Sequence, residues 1–401
     1  MSGLISVDDA LALIERHRPR LETETVALAS ACGRTLAAPI IARRTHPPQS
    51  MSAMDGYAVR LADVRAAKSS LHVVGEAPAG RPFEGRLNAG EAVRIFTGGV
   101  VPEGADHIII QENTARDGDK VTSFNGYDQP AHIRRAGIDF RENDVLTSEG
   151  VILRPEHLSI AAAANTATVE VSRPIRVGLF SNGDELKPPG SQLAPGEIVN
   201  SNPYGLKSLI ESWGGEALDL GIARDDPAAI QALIERAAGT VDVLVPIGGA
   251  SVGDHDHMRA AFAATGFTPV FEKIAVRPGK PTWFSKTGST LALGLPGNPA
   301  SAFVCAHLFL APLLGQPWTQ ALIKGKLVSP IAANGTREHF MRARAEINDQ
   351  GQIMIDPAPS QDSSLLRPFL SSNILLRRSP KAEVAHVGAI VEGVQIGPIP
   401  S

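Results

Sequence analysis

A chain of 401 residues is longer than one ordinary core supports, so several domains are expected. Its hydrophobic share of 43% and charged share of 20% belong to a globular protein with buried cores and exclude wholesale disorder. Lys and Arg number 38 against 42 Asp and Glu, a net charge of −4, which excludes the global basic field of a nucleic-acid binder; an anionic ligand has to be held locally.

Residues 4–18 read as a helix, with Leu11 and Ile14 on an apolar side and Glu15 and Arg16 on a polar one. Acids in the first ten residues and this amphipathic pattern do not read as a secretory leader. Pro39, Pro47 and Pro48 then punctuate the chain. From about 57 to 133 short strands are expected, among them LHVVGEA, AVRIFTG, HIIIQE and KVTSF, each bounded by turn residues. PEHLSIAAAAN returns to a helical pattern with Pro155 near its start, where proline is tolerated. From Pro174 the chain alternates: IRVGLF (strand), PYGLKSLIESW (helix), EALDLGIA (strand), PAAIQALIERAA (helix), VDVLVPI (strand). Such a βαβ series predicts a parallel sheet covered by helices, with ligands at the loops leaving the carboxyl ends of the strands. The tail from about 322 returns to short strands (LIKGKLV, FMRARAEI, QIMID, AHVGAIVEGVQIG), which suggests a small β-barrel.

The expected architecture is therefore a multidomain α/β chain. A discontinuous mixed domain takes 1–45 plus 134–173, a β-rich insertion 46–133, a central parallel-sheet α/β domain 174–320, and a C-terminal β-barrel 321–401. The apolar stretch 301–314 is too short for the roughly 20 residues a bilayer requires and contains Pro312. Cys32 and Cys305 stand far apart without partners at ligand spacing, so neither a disulfide framework nor a zinc ribbon is predicted, and a reducing, cytoplasmic location is expected.

Three glycine-containing loops come after apolar strands: Ser181 to Leu186, Gly248 to Asp254, and Gly294 to Ser301. Glycines at such exits let the backbone approach a phosphate and turn its N–H groups toward it. Neither GxGxxG nor GxxxxGK[ST] occurs, which disfavours a dinucleotide fold and a Walker NTPase. Arg277-Pro278-Gly279-Lys280 puts two cations three residues apart around a turn, an arrangement suited to an oxyanion. Asp254-His255-Asp256-His257 offers carboxylates and imidazoles, but alternating neighbours point different ways, so one working carboxylate is the reading taken.

SAMDGYAVR (52–60), TGGVVPEGADHIIIQE (97–112), RRAGIDF (134–140), FSNGDEL (180–186), GGASVGD (248–254), RPGKP (277–281) and GLPGNPASA (294–302) occur in this order. Together they closely resemble the molybdopterin molybdenumtransferases, the MoeA family, whose eukaryotic relatives include the gephyrin E domain. The resemblance runs over nearly the whole chain. It implies conversion of adenylylated molybdopterin and molybdate, with magnesium, into molybdenum cofactor and AMP. Matched by motif, the catalytic residues would be Asp55, Thr97, Asp139, Glu185, Asp225 and Asp256, with Asp55, Glu185 and Asp256 toward the metal. Arg134, Arg135, Ser181, Gly183, Gly248, Gly249, Ser251, Gly253, Pro296 and Pro299 would contact the nucleotide-linked pterin. Lys273, Arg277, Lys280, Ser301, Arg342 and Ser363 would surround molybdate.

The resemblance further implies a homodimer, with transient contacts to a separate molybdopterin adenylyltransferase and to molybdoenzyme acceptors, and neither nucleic acid nor membrane as partner. The chain departs from the pattern at Gln49-Ser50-Met51, where an acid and Asn are common, and at Arg277, often Lys. It departs again at Asn200-Ser201-Asn202, where Asp-Ser-Asn is frequent. Two other readings stay open: the adenylyltransferase step itself, and a non-catalytic scaffold of the gephyrin E-domain type.

Overall fold

Strand Arg176–Asn182 buries Val177 and Leu179 in one core and Phe180 in another, and strand Val243–Ile247 divides Val243, Val245 and Ile247 from Leu244 in the same way. This period-2 alternation with both faces covered is why these strands read as continuous apolar runs. The computed structural model describes all residues except 1, 2, 20, 250–256, 289, 317–320 and 401. They form two compact units, one of residues 1–21 and 174–401, the other of residues 22–173.

The first unit holds a six-stranded sheet in the order Glu216–Ala223, Arg176–Asn182, Val243–Ile247, Thr290–Gly294, Trp283–Thr287, Thr268–Phe271. The first four strands are mutually parallel, as the βαβ series predicts, and Trp283–Thr287 runs antiparallel to both of its neighbours. Helix Asn202–Ser212 packs Leu206 and Ile210 on one face of the sheet. Helices Pro227–Ala237 and His257–Ala264 cover the other with Ile230, Leu233, Ile234, Met258 and Phe262. Asp226 caps the former, accepting from the amide of Ala229 at 2.8 Å.

Helix Val7–His17 is capped by Ser6, whose hydroxyl accepts from the amide of Asp9 at 3.0 Å, and it buries Val7, Ala10 and Ile14 in the core shared with Val177 and Ile175. The Ile5 amide donates to the Lys273 carbonyl, and the Ile5 carbonyl accepts from Ala275. This helix therefore belongs with 174–401 and not with 22–45, because its apolar stripe completes the core of the α/β sheet.

Five strands, Leu322–Leu327, Glu338–Ile347, Ile353–Pro357, Ile374–Arg378 and Ile390–Gln395, close on themselves as a barrel, since Glu338–Ile347 pairs with both Ile353–Pro357 and Ile374–Arg378. The two-residue strand Val276–Arg277 adds to Glu338 and His339, so the α/β and barrel parts are one compact unit. Arg377 lies among Glu338, Asp8 at 3.5 Å and Glu392 at 3.7 Å, tying the first helix to two barrel strands.

The apolar stretch at 301–314 becomes a buried helical run, Pro299–Cys305, then a π turn, Ala306–Leu310, and Ala311–Leu313. His307 sits inside it with its ring edge-on to Trp213 at 5.2 Å, and burial pushes its pKa down to about 4. The unfolded chain binds a proton here below its ordinary pKa of about 6.5 while the folded chain stays neutral, so stability is full above that value and falls as pH drops toward 4. Lowering pH from 7 to 5 should thus depress the thermal midpoint of the natural protein more than that of His307→Leu. Scanning calorimetry at both pH values tests this, and equal depressions refute it.

In the second unit the four expected strands become Ser70–Ala77, Glu91–Ile95, His107–Ile110 and Lys120–Ser123. With Gly56–Val59 and Thr114–Asp117 they make a second six-stranded sheet. Strands Thr23–Ala27 and Thr168–Ser172 pair antiparallel over five residues, and the Arg173 amide donates to the Glu22 carbonyl at 3.0 Å, so this unit's ends lie side by side. Helix Pro155–Ala163 carries Pro155 in its first turn. Among the described residues no helix is long and apolar enough to cross a membrane, and Cys32 and Cys305 are both free.

Candidate active site

Three parallel strands of the first unit end together, and their exits wall one cleft of about 710 Å³. At the end of Arg176–Asn182, Ser181 donates its hydroxyl to Asn200 Oδ1 at 2.8 Å, and Asn182 Nδ2 donates to the Arg224 carbonyl at 3.0 Å. Both side chains are buried, so the strand end is fixed. The chain turns at Gly183, where a Cβ would lie 2.5 Å from Glu185 Oε2; only glycine lets this carboxylate fold back over the turn. Glu185 lines the cleft and has no side-chain hydrogen bond or ion pair among the described residues.

Gly248 and Gly249 come directly after Val243–Ile247, and the Gly248 amide donates to the Leu295 carbonyl at 3.0 Å, locking this exit to the Pro296–Pro299 loop. Asn202 Nδ2 donates to the Gly297 carbonyl at 2.9 Å from the third side. Ser181, Glu185, Gly248, Gly249, Pro296 and Pro299 thus meet in one place. Asn200, Asn202, Pro281, Asn298 and Ser364 join them without having been singled out as binding residues, although Asn298 stands inside the GLPGNPASA motif. Gly183 and Asp225 border an adjoining cleft of about 540 Å³, with Leu186 common to both. The Asp225 amide donates to Asp184 Oδ1 at 3.3 Å.

The residues expected around molybdate are distributed unevenly. Ser301 is buried near the cleft, and Ser363 accepts from Asn298 Nδ2 at 3.1 Å through its hydroxyl and from the Ala300 amide at 3.0 Å through its carbonyl. Lys280 is exposed one residue before Pro281, a cleft wall, and the Lys273 carbonyl accepts from Ile5. Arg342 departs from the expectation of a cation presented to the ligand. It is 2% exposed, and its guanidinium donates to the carbonyls of Leu365 at 2.6 Å, Asp362 at 2.9 Å and Ser360 at 3.3 Å. Those donors hold the loop that carries Ser363. Arg277 lines a different cavity, of about 500 Å³, on the barrel side. The turn after it is tight: Gly279 has φ +112°, and a Cβ there would lie 2.1 Å from Cys305 Sγ.

On the second unit three motifs converge through backbone pairing. Met51–Ser52 pairs with Ile133–Arg134, Ser52 and Gly98 or Gly99 exchange hydrogen bonds, and the Ala136 amide donates to Ser50 Oγ at 3.4 Å. Asp55 Oδ1 accepts from the Thr97 amide at 2.7 Å and from its hydroxyl at 2.9 Å, and these bonds hold the Asp55 carboxyl below the usual range. Arg134, Arg135 and Asp139 are exposed beside this junction. Ser251, Gly253, Asp254, His255 and Asp256 lie outside the described residues. Among the described residues no three His, Cys, Asp or Glu side chains group as a metal site.

Three family models match the chain in order: the MoeA N-terminal region (domain I and II) over residues 5–165, a probable molybdopterin binding domain over 178–316, and the MoeA C-terminal region (domain IV) over 324–396. A molybdopterin molybdenumtransferase of Haemophilus influenzae is 34% identical over 385 residues, covering 93% of this chain and 94% of the relative. One of Bacillus subtilis is 33% identical over 386 residues, covering 93% and 89%. The crystal structure of a molybdopterin biosynthesis MoeA protein from Pyrococcus horikoshii OT3 superposes with a TM-score of 0.84 at 26% identity, covering 98% of this chain and all of that one. Motif order, fold and full-length similarity agree: the chain belongs to the MoeA family of molybdopterin molybdenumtransferases.

Proposed function

We propose that this protein inserts molybdenum from molybdate into adenylylated molybdopterin, releasing AMP and forming molybdenum cofactor. The observation that carries the reading is the cleft, in which glycine loops from three parallel strands face the same space as the Glu185 carboxylate, which has no side-chain partner among the described residues. Thiolates, phosphates and molybdate are all anionic, so backbone amides and cations have to receive them. Glu185 fits a magnesium ion, which ordinarily takes one or two carboxylates together with substrate phosphates. Asp55 and Asp256 complete the metal set implied by the family resemblance, and the bound ion would neutralise charge on the phosphate that leaves with AMP. Thr97 orients Asp55 and favours its carboxylate form through its two hydrogen bonds. Ser363, fixed by Asn298 and by the loop that Arg342 holds, would touch molybdate, and Lys280 and Ser301 are the further contacts that the family resemblance implies.

The protein works in the cytoplasm as a homodimer and meets a separate adenylyltransferase and molybdoenzyme acceptors transiently. The test is incubation of the purified chain with adenylylated molybdopterin, magnesium and molybdate, with AMP quantified and the cofactor assayed by reconstitution of an apo-molybdoenzyme. AMP release that requires both molybdate and magnesium, and is lost in Asp256→Asn, is expected. Equal release in the presence of a chelator removes the metal role, and absence of cofactor in every arm removes the function.

A further inference from the structure

Three adjacent strands place Arg277, His339 and Arg378 in one transverse row. Arg277 is the register partner of His339 on the parallel side, and His339 is the partner of Arg378 on the antiparallel side. Paired positions on neighbouring strands share a face, and all three residues line the cavity of about 500 Å³ together with Asn334, Met341 and Gln361. His339 is only 7% exposed, yet its ring has no hydrogen-bond partner among the described residues. Arg378 donates from Nη2 to the Glu383 carbonyl, while its buried Nε has no partner among the described residues. Neither Arg277 nor Arg378 forms an ion pair among the described residues, and Glu338, the acid next to His339, is taken up by Arg377. Asp356 is the acid on the lining.

Burial, then the charges of Arg277, Arg337, Arg342 and Arg378, push the His339 pKa down to about 4, so its imidazole is neutral at pH 7 and offers one N–H without adding charge. A buried donor left unmade is costly, and two arginines with spare donors around a neutral imidazole match a compact dianion with several acceptor oxygens.

We propose that this cavity is a binding site for a small tetrahedral oxyanion, held by Arg277, His339 and Arg378 and separate from the cleft that carries Glu185. It requires neither Lys280 nor Ser363, and it stands whether or not the chain turns over molybdate. Sulfate, phosphate and molybdate share the necessary geometry and charge.

The test is calorimetric titration of the full chain with sodium sulfate, sodium phosphate and sodium molybdate in separate arms at fixed ionic strength. It compares the natural protein, Arg378→Met, Arg378→Lys and Lys280→Met, with circular dichroism confirming that each variant is folded. One oxyanion in this cavity should bind roughly tenfold more weakly, or not at all, in Arg378→Met. Arg378→Lys should recover part of the affinity, and Lys280→Met should keep it. In crystals grown with selenate an anomalous peak is expected between Arg378 and His339. If binding is unchanged in Arg378→Met and lost only in Lys280→Met, the oxyanion sits elsewhere and the proposal falls. Absence of binding in all three arms, or selenate peaks confined to other places, overturns it equally; AMP release is a separate readout that neither result affects.

Discussion

Glu185→Gln should lower AMP release by roughly 100-fold to 1000-fold while leaving the melting curve unchanged, the loss typical of removing one preorganised electrostatic group from an active site. The substitution keeps shape and removes charge. The Glu185 carbonyl accepts from Ile198 at 2.9 Å, and among the described residues no hydrogen bond or ion pair depends on its side-chain charge. Single-turnover AMP release with magnesium varied over a wide range checks the role: a carboxylate that holds the ion should give a variant partly rescued by excess magnesium. Natural turnover in Glu185→Gln would show that the carboxylate does not act in the reaction. Mixing inactive Asp55→Asn with inactive Glu185→Gln adds a further readout, since recovered activity means that the two carboxylates come from different subunits of a homodimer.

The largest effect on stability is expected at Arg377. Glu338 is 6% exposed and pairs with Arg377, whose cationic form is favoured by Glu338, Asp8 and Glu392 against the cost of its own burial. Arg377→Met leaves Glu338 as an uncompensated buried charge. Breaking a buried pair from one side costs about 3–5 kcal/mol, and the partial exposure of Arg377 points to the lower end. For a unit of this size that corresponds to a fall in melting temperature of roughly 6–12 °C. Replacing both residues, Arg377→Met with Glu338→Met, should recover much of the loss, because no charge is then stranded. A single-variant loss below about 0.5 kcal/mol would place the pair among ordinary surface contacts.

Where burial is set by local sequence, the fold is legible in one dimension. Strand Glu216–Ala223 lies where EALDLGIA predicts it, and helices Asn202–Ser212 and Pro227–Ala237 arise from their apolar periodicity and starting prolines. Ile374–Arg378 is different: three apolar residues before two arginines show neither period, and its strand character comes from pairing on both sides in the closed barrel. The hairpin Trp283–Thr287 with Thr290–Gly294 is likewise fixed by the sheet it completes.

The same division runs through the site. Glycine exits announce a ligand because their chemistry is backbone chemistry, carried by the local residue type. Arg277 and Arg342 carry charge whose direction depends on strands far away in sequence. Composition cannot show that Arg342 is committed to three carbonyls, or that Arg277 aligns with His339 and Arg378.

The adjacency of Glu22 and Arg173 has a consequence for the order in which the molecule matures on the ribosome. Helix Val7–His17 is made before 22–173, but the sheet that buries Val7, Ala10 and Ile14 is not made until after residue 174. All of 22–173 is translated in between and can complete itself, because its own two ends pair with each other. At roughly 5–20 residues per second the first helix waits on the order of ten seconds with its apolar stripe exposed to the nascent-chain environment. A segment made before 22–173 thus finds its place only after 22–173 has been made, so the core of residues 1–21 and 174–401 closes late.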